Sequence, residues 1–72
     1  MEKLKTKING IEYEGHFKII PVDKEKFTFR VSFRDLNHKD MSLFKYRRES
    51  QAKIHAEFVL KNLVEQHLEK QK

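Results

Sequence analysis

"FTFRVSFR", residues 27–34, alternates apolar and polar side chains without a slip. Phe27, Phe29, Val31 and Phe33 fall on one side, and Thr28, Arg30, Ser32 and Arg34 on the other. A period of two is the mark of a pleated strand with one buried face. Three phenylalanines and a valine on that face require a second layer to bury them. The other face alternates arginines with small hydroxyl residues, and its role is the functional question.

Upstream, "LKTKINGIEYEGHFKI" (residues 4–19) has the pattern of a hairpin. Asn9-Gly10 supplies two residues that accept positive φ, as a type I′ turn needs. Leu4, Thr6 and Ile8 share one face, with Lys3, Lys5 and Lys7 opposite. After the turn, Ile11, Tyr13, Gly15, Phe17 and Ile19 continue the inward series, leaving Glu12, Glu14, His16 and Lys18 outside. Gly15 is expected to mark a bulge or a close approach of the helix. Pro21 ends the strand or confines it to an edge. "VDKEK" (22–26) is a polar turn, and "RDLNHKD" (34–40) is expected to be the next one, with Asn37 and Asp40 as turn formers. "MSLFKY" (41–46) follows as a short last strand. Either Met41 with Leu43 or Phe44 with Tyr46 points inward, unless a bulge admits both.

From Ser50 the period changes. Ala52, Ala56, Val59, Leu60, Leu63 and Leu68 recur at helical spacing in a stretch without Gly or Pro, with Ile54, Phe58 and Val64 widening the stripe. The expectation is one small α+β domain over residues 1–72: an antiparallel meander of three to four strands (3–8, 11–20, 26–35, 41–46) packed against one C-terminal helix (48–69). That helix is the one element available to cover the apolar face of the sheet.

The chain has 72 residues and no cysteine, so neither a disulfide nor a thiolate metal cluster supports so small a core. No apolar run reaches the roughly 18 residues of a membrane span, and "MEKLKTKING" lacks the apolar segment of a signal peptide. A cytoplasmic protein is expected. Catalytic motifs and paired carboxylates in an apolar setting are missing, and one small core leaves little room for a closed pocket; neither an enzyme nor a cofactor is expected. His55 and His67 lie three helical turns apart and cannot share an ion, while His38 and Asp40 alone make two ligands where a site needs three or more.

Sixteen basic residues against eleven acidic ones leave a net charge of +5. The excess is concentrated. Residues 27–48 hold Arg30, Arg34, Lys39, Lys45, Arg47 and Arg48 against Asp35 and Asp40, six minus two, or +4. Laying the strands side by side gathers Lys5, Lys7, His16, Lys18, Thr28, Arg30, Ser32 and Arg34 on one polar face, with Glu12 and Glu14 among them. Such a face suits nucleic acid, where arginine reads guanine and short hydroxyl neighbours let it reach. Lys45, Arg47 and Arg48, where the last strand meets the helix, are placed to hold phosphates. A solvated face with cross-strand Lys/Glu pairs such as Lys7 with Glu12 is the alternative.

The passage "MSLFKYRRESQAKIHAEFVLKNL" (41–63), with Phe44 before the basic pair Arg47-Arg48 and Ala52 in the helix, resembles AP2-type DNA-binding domains. These include the arm-site-binding domains of tyrosine recombinases from phages and conjugative transposons. The resemblance implies a sheet that enters the major groove, a helix that braces its back, a role on a mobile element, and Thr28, Arg30, Ser32 and Arg34 as reading positions. A fainter likeness is to the last strands and second helix of double-stranded-RNA-binding domains. DNA is expected ahead of RNA. The competing expectation is a protein-interaction module, an inhibitor or adaptor or a homodimer, docking through the surplus apolar helix face of Ile54, Phe58 and Val64.

Overall fold

The computed structural model describes residues 2–70. It is an antiparallel sheet backed by one long helix: β1 (Glu2–Ile8), β2 (Ile11–Pro21), β3 (Lys26–Phe33), β4 (Leu36–Lys39), β5 (Phe44–Lys45), a 3-10 turn (Tyr46–Arg48) and α1 (Glu49–Lys70). Strands β1 to β4 lie in sequence order, and β5 joins the β4 edge of β3. No helix among the described residues is long and apolar enough to cross a membrane.

The β1–β2 turn forms as the Asn-Gly pair dictates, with φ of 53° at Asn9 and 81° at Gly10. Its register places Leu4 opposite Gly15 and Ile8 opposite Ile11. At the β2–β3 turn, the Asp23 Oδ1 accepts the backbone N–H groups of Glu25 (2.8 Å) and Lys26 (2.9 Å), an Asx turn that sends the chain back after Pro21. β3 is the centre of the fold. Phe27, Phe29, Val31 and Phe33 are all buried, together with Leu4, Phe17 and the helix residues Ala52, Ala56, Leu60, Leu63 and Val64. The two alanines let the helix lie close over the phenylalanine rings, while Leu60 reaches down to Gly15. Gly15 therefore marks a close approach of the helix rather than a bulge. Lys53 on the helix meets Glu2 of β1 at 2.9 Å, and the hydrogen bond and charge of Glu2 raise the lysine pKa.

Three local expectations are corrected. β3 stops at Phe33, because Arg34 and Asp35 form a two-residue turn with Phe33 paired to Leu36. Arg34 has a φ of 55°, a region that favours glycine, so nothing in its side-chain chemistry announced a turn there. "LNHK", expected as turn, is strand β4. The strand expected over 41–46 shrinks to Phe44–Lys45, opposite Lys26 and Phe27. Of the two inward phases open for it, Phe44 and Tyr46 are the pair that pack, their rings 6.0 and 5.0 Å from that of Phe27. Met41 and Leu43 are exposed.

Between Lys39, opposite Arg30, and Phe44, opposite Phe27, four edge residues face only Thr28 and Phe29. The extra residues form a bulge, and specific hydrogen bonds hold it. Thr28 Oγ1 donates to the Asp40 carbonyl at 2.7 Å, and the Asp40 N–H donates to the Phe29 carbonyl at 2.9 Å. Asp40 Oδ1 accepts from the N–H groups of Met41 (2.9 Å) and Ser42 (3.4 Å). Its Oδ2 lies 3.3 Å from His55 Nε2, within ion-pair distance, yet it is buried and not aligned for a hydrogen bond. Thr28→Val keeps the shape but leaves a buried carbonyl without its donor, and should cost about 1–3 kcal/mol. Urea denaturation checks the loss, and faster amide exchange at Met41 and Ser42 than elsewhere would place it in the bulge.

Candidate nucleic-acid interface

The helix covers one face of the sheet and leaves the other open. Because directly opposed residues in an antiparallel pair share a face, the strand registers fix what the open face carries. Three positions align across three strands: Lys18 of β2 opposes Arg30 of β3, which opposes Lys39 of β4. All three are exposed, and among the described residues none has a carboxylate within ion-pair distance. With strands about 4.8 Å apart, the row spans about 10 Å.

The neighbouring row consists of His16, Ser32 and Asn37, with Lys3 opposite His16 on β1. Four residues along β3 from Arg30, or about 13 Å away, Lys26 opposes Lys45. Like charges directly opposite one another destabilise a sheet, by about 0.2–1 kcal/mol per pair. This face opposes them in three pairs: Lys18 with Arg30, Arg30 with Lys39, and Lys26 with Lys45.

The β1 side differs. Lys3 pairs with Glu14 at 3.4 Å and Lys5 with Glu12 at 3.6 Å. Glu12 stands opposite Lys7 in register, yet its carboxylate meets Lys5 on the diagonal, so the ion pair expected from Lys7 forms one position away. Glu12 and Glu14 are thus matched by lysines of β1 and do not face the Lys18–Arg30–Lys39 row. The open face divides into a balanced part on β1 and the start of β2, and a cationic part on β2, β3, β4 and β5.

Of the residues singled out from sequence, Lys5, Lys7, Lys18, Arg30, Ser32 and Lys45 do share the open face. Thr28 is on it by register but is 4% exposed, its hydroxyl committed to the Asp40 carbonyl, so it is not free to read a base. Arg34 leaves the face altogether. Its guanidinium donates from Nη1 to His67 Nε2 at 3.1 Å and lies 5.4 Å from the centre of the Phe33 ring, at the C-terminal end of the helix. Turning the chain at Phe33 removes Arg34 from the alternation that placed it beside Arg30.

Arg47 and Arg48 belong to the 3-10 turn and are exposed at the far end of the molecule. Lys24, Glu25, Lys45, Tyr46 and Arg47 line a surface depression there, and the Tyr46 N–H donates to the Glu25 carbonyl at 3.2 Å. The turn-like composition of residues 34–40 hides Lys39 and Asn37 from the sequence pattern. Only the Phe33–Leu36 closure reveals them as a strand facing Arg30 and Ser32. On the helix, Ile54 and Phe58 are exposed, whereas Val64 is fully buried in the core and cannot belong to an outward face.

Among the described residues no three His, Asp or Glu side chains are grouped to hold a metal ion. Comparison of the chain with family models, curated proteins and solved structures yields no match.

Proposed function

We propose that the protein is a small accessory protein that binds duplex nucleic acid, DNA in preference to RNA, through the open face of its sheet. The observation that carries the reading is the row Lys18, Arg30 and Lys39: three cations aligned across three strands that, among the described residues, have no acidic partners and lie on the face the helix leaves open. A fold that needed only a solvated surface gains nothing from that repulsion. A polyanion removes it on binding, and counterion release drives the association.

Dimensions favour DNA. Three strands about 10 Å across suit the roughly 12 Å major groove of B-form DNA, whereas the major groove of A-form RNA is too narrow and deep for side chains to read. Arg30, at the middle of the row, is placed to read a guanine edge, with Lys18 and Lys39 towards the flanking phosphates. Ser32 and Asn37 in the next row offer hydroxyl and amide groups to adjacent bases. Lys45, Arg47 and Arg48 extend the contact to the backbone beyond the groove. Such a partner agrees with a cytoplasmic location and with the mobile-element role that the AP2-type resemblance implies.

Fluorescence anisotropy with mixed-sequence DNA and RNA duplexes, at low and near-physiological salt, tests the proposal. Binding should favour DNA and weaken steeply with salt. Arg30→Ala should reduce affinity, by about 1–3 kcal/mol if it makes a bidentate guanine contact. Arg34→Ala should leave affinity nearly unchanged, because that side chain is engaged at the helix end. No binding at low salt, or equal losses in the two variants, would contradict this assignment.

A further inference from the structure

β1 is the long free edge of the sheet. The opposite edge is short and interrupted, with β4 and β5 separated by the Asp40 bulge, whereas β1 runs unbroken over seven residues with one flank unpaired. Beside that flank lies a shallow groove lined by Lys5, Thr6, Ile54, Glu57, Phe58 and Lys61. Ile54 and Phe58 are 56% and 65% exposed, one helical turn apart, and nothing in the sheet is positioned to bury them.

The paired flank of β1 indicates what the free one accepts. On β2, Glu12 and Glu14 meet Lys5 and Lys3 on the open face, while Tyr13 packs against the core on the helix side. The free flank presents the same alternating side chains: Lys3, Lys5 and Lys7 towards the open face, and Leu4, Thr6 and Ile8 towards the helix. Lys7 has no ion pair among the described residues.

A second copy of this chain fits poorly there. Antiparallel pairing of β1 with another β1, keeping both helices on one side, opposes lysine to lysine at every open-face position of the strand. Lysine on an edge strand guards against that kind of self-association.

We infer that the β1 edge and the adjoining Ile54–Phe58 face of α1 form a docking site for an extended segment of a partner protein. That segment alternates acidic residues with apolar ones. One acidic residue pairs with Lys7, while the others share Lys3 and Lys5 with Glu14 and Glu12; the apolar residues enter the groove against Ile54 and Phe58. Main-chain hydrogen bonds to β1 supply affinity, and the alternation supplies selectivity. This surface is separate from the Lys18–Arg30–Lys39 row and does not depend on nucleic-acid binding.

The probe is a labelled peptide as long as β1, of alternating glutamate and isoleucine. Its controls are a lysine–isoleucine version and a backbone N-methylated glutamate version. Anisotropy at low salt should show the glutamate peptide binding at least tenfold more tightly than either control. Backbone amide shifts should be concentrated in residues 2–8 and near Ile54 and Phe58. The double variant I54S/F58S should lose at least tenfold while melting within a few degrees of wild type, since both side chains are exposed. Arg30→Ala should bind the peptide as wild type does.

Several results would overturn the inference: no binding at low salt, equal binding of the lysine version, or shifts centred on β4. A stable dimer in sedimentation with β1 amides already protected would assign the edge to a second copy and overturn it too. Loss of DNA binding in Arg30→Ala with retained peptide binding separates this surface from the proposed nucleic-acid face.

Discussion

Replacing Gly15 by valine is expected to unfold most of the protein at room temperature, whereas replacing Gly10 by alanine should cost only about 1 kcal/mol. Both glycines sit in the first hairpin, and the contrast follows from what surrounds them. Gly10 has a φ of 81° and nothing within 4 Å of where a Cβ would stand, so its cost is the strain of a left-handed backbone alone. At Gly15 a Cβ would collide with Leu60 Cδ1 and come within 2.7 Å of the Ser32 carbonyl oxygen. The leucine can turn. The carbonyl belongs to β3, the strand that carries the core, and cannot move without shifting the register on which the Phe17, Phe29 and Val31 packing depends.

Overpacking a well-filled core costs about 1–3 kcal/mol even where side chains yield. A single core in a chain of this size rarely supplies more than about 3–5 kcal/mol. Valine adds two further methyl groups to an already forbidden Cβ, so the whole margin is at stake. Urea denaturation of the alanine variant, still partly folded, gives the measurable form of the argument. A double cycle of Gly15→Ala with Leu60→Ala should show coupling, because the smaller residue removes one of the two collisions. Rescue should be partial, since the Ser32 carbonyl remains. Full rescue would mean that the strand yields and that Leu60 alone sets the spacing.

The same positions show how far the sequence could be read. The alternation of residues 27–33 and the Asn-Gly turn carry enough local information to define β1, β2 and β3, because one face of each must be apolar and the turn admits one register. The helix was legible for the same reason at a different period. The far edge was not. Arg34 turns the chain although arginine rarely takes positive φ, and "LNHK" gains its strand character from pairing with β3 rather than from its own residues. Two consequences followed for the site. The alternation puts Arg34 on a face it leaves, and the turn-like composition keeps Lys39 off a face it completes. Thr28 misled differently. Its register is as expected, but the bulge that buries it is a tertiary feature, held by Asp40 twelve residues away. Val64 belongs to the core because the helix turns that side of its stripe to the sheet, a choice that periodicity alone leaves open.

Neutralising Lys18, Arg30 and Lys39 together, each to glutamine, is expected to move binding and stability in opposite directions. The salt dependence of DNA binding should become shallower by about 2 in the slope of log affinity against log salt, roughly one for each of the phosphate contacts assigned to Lys18 and Lys39. Folding stability at low salt should rise, by up to about 1 kcal/mol, because two opposed like-charge pairs disappear. That gain should vanish near 1 M salt, where the Debye length is about 3 Å and the original repulsion is already screened. Lys5→Gln is the matched control. It removes a lysine that is paired with Glu12, so it should lower stability slightly and leave the binding slope almost unchanged. An idle solvated face predicts the stability gain without the change in binding. A row whose side chains splay apart and interact with nothing predicts neither effect. Weaker DNA binding together with higher stability in one variant requires that the row be strained in the free protein and relieved by the ligand, which is how a surface kept for contact with a polyanion differs from one that merely faces water.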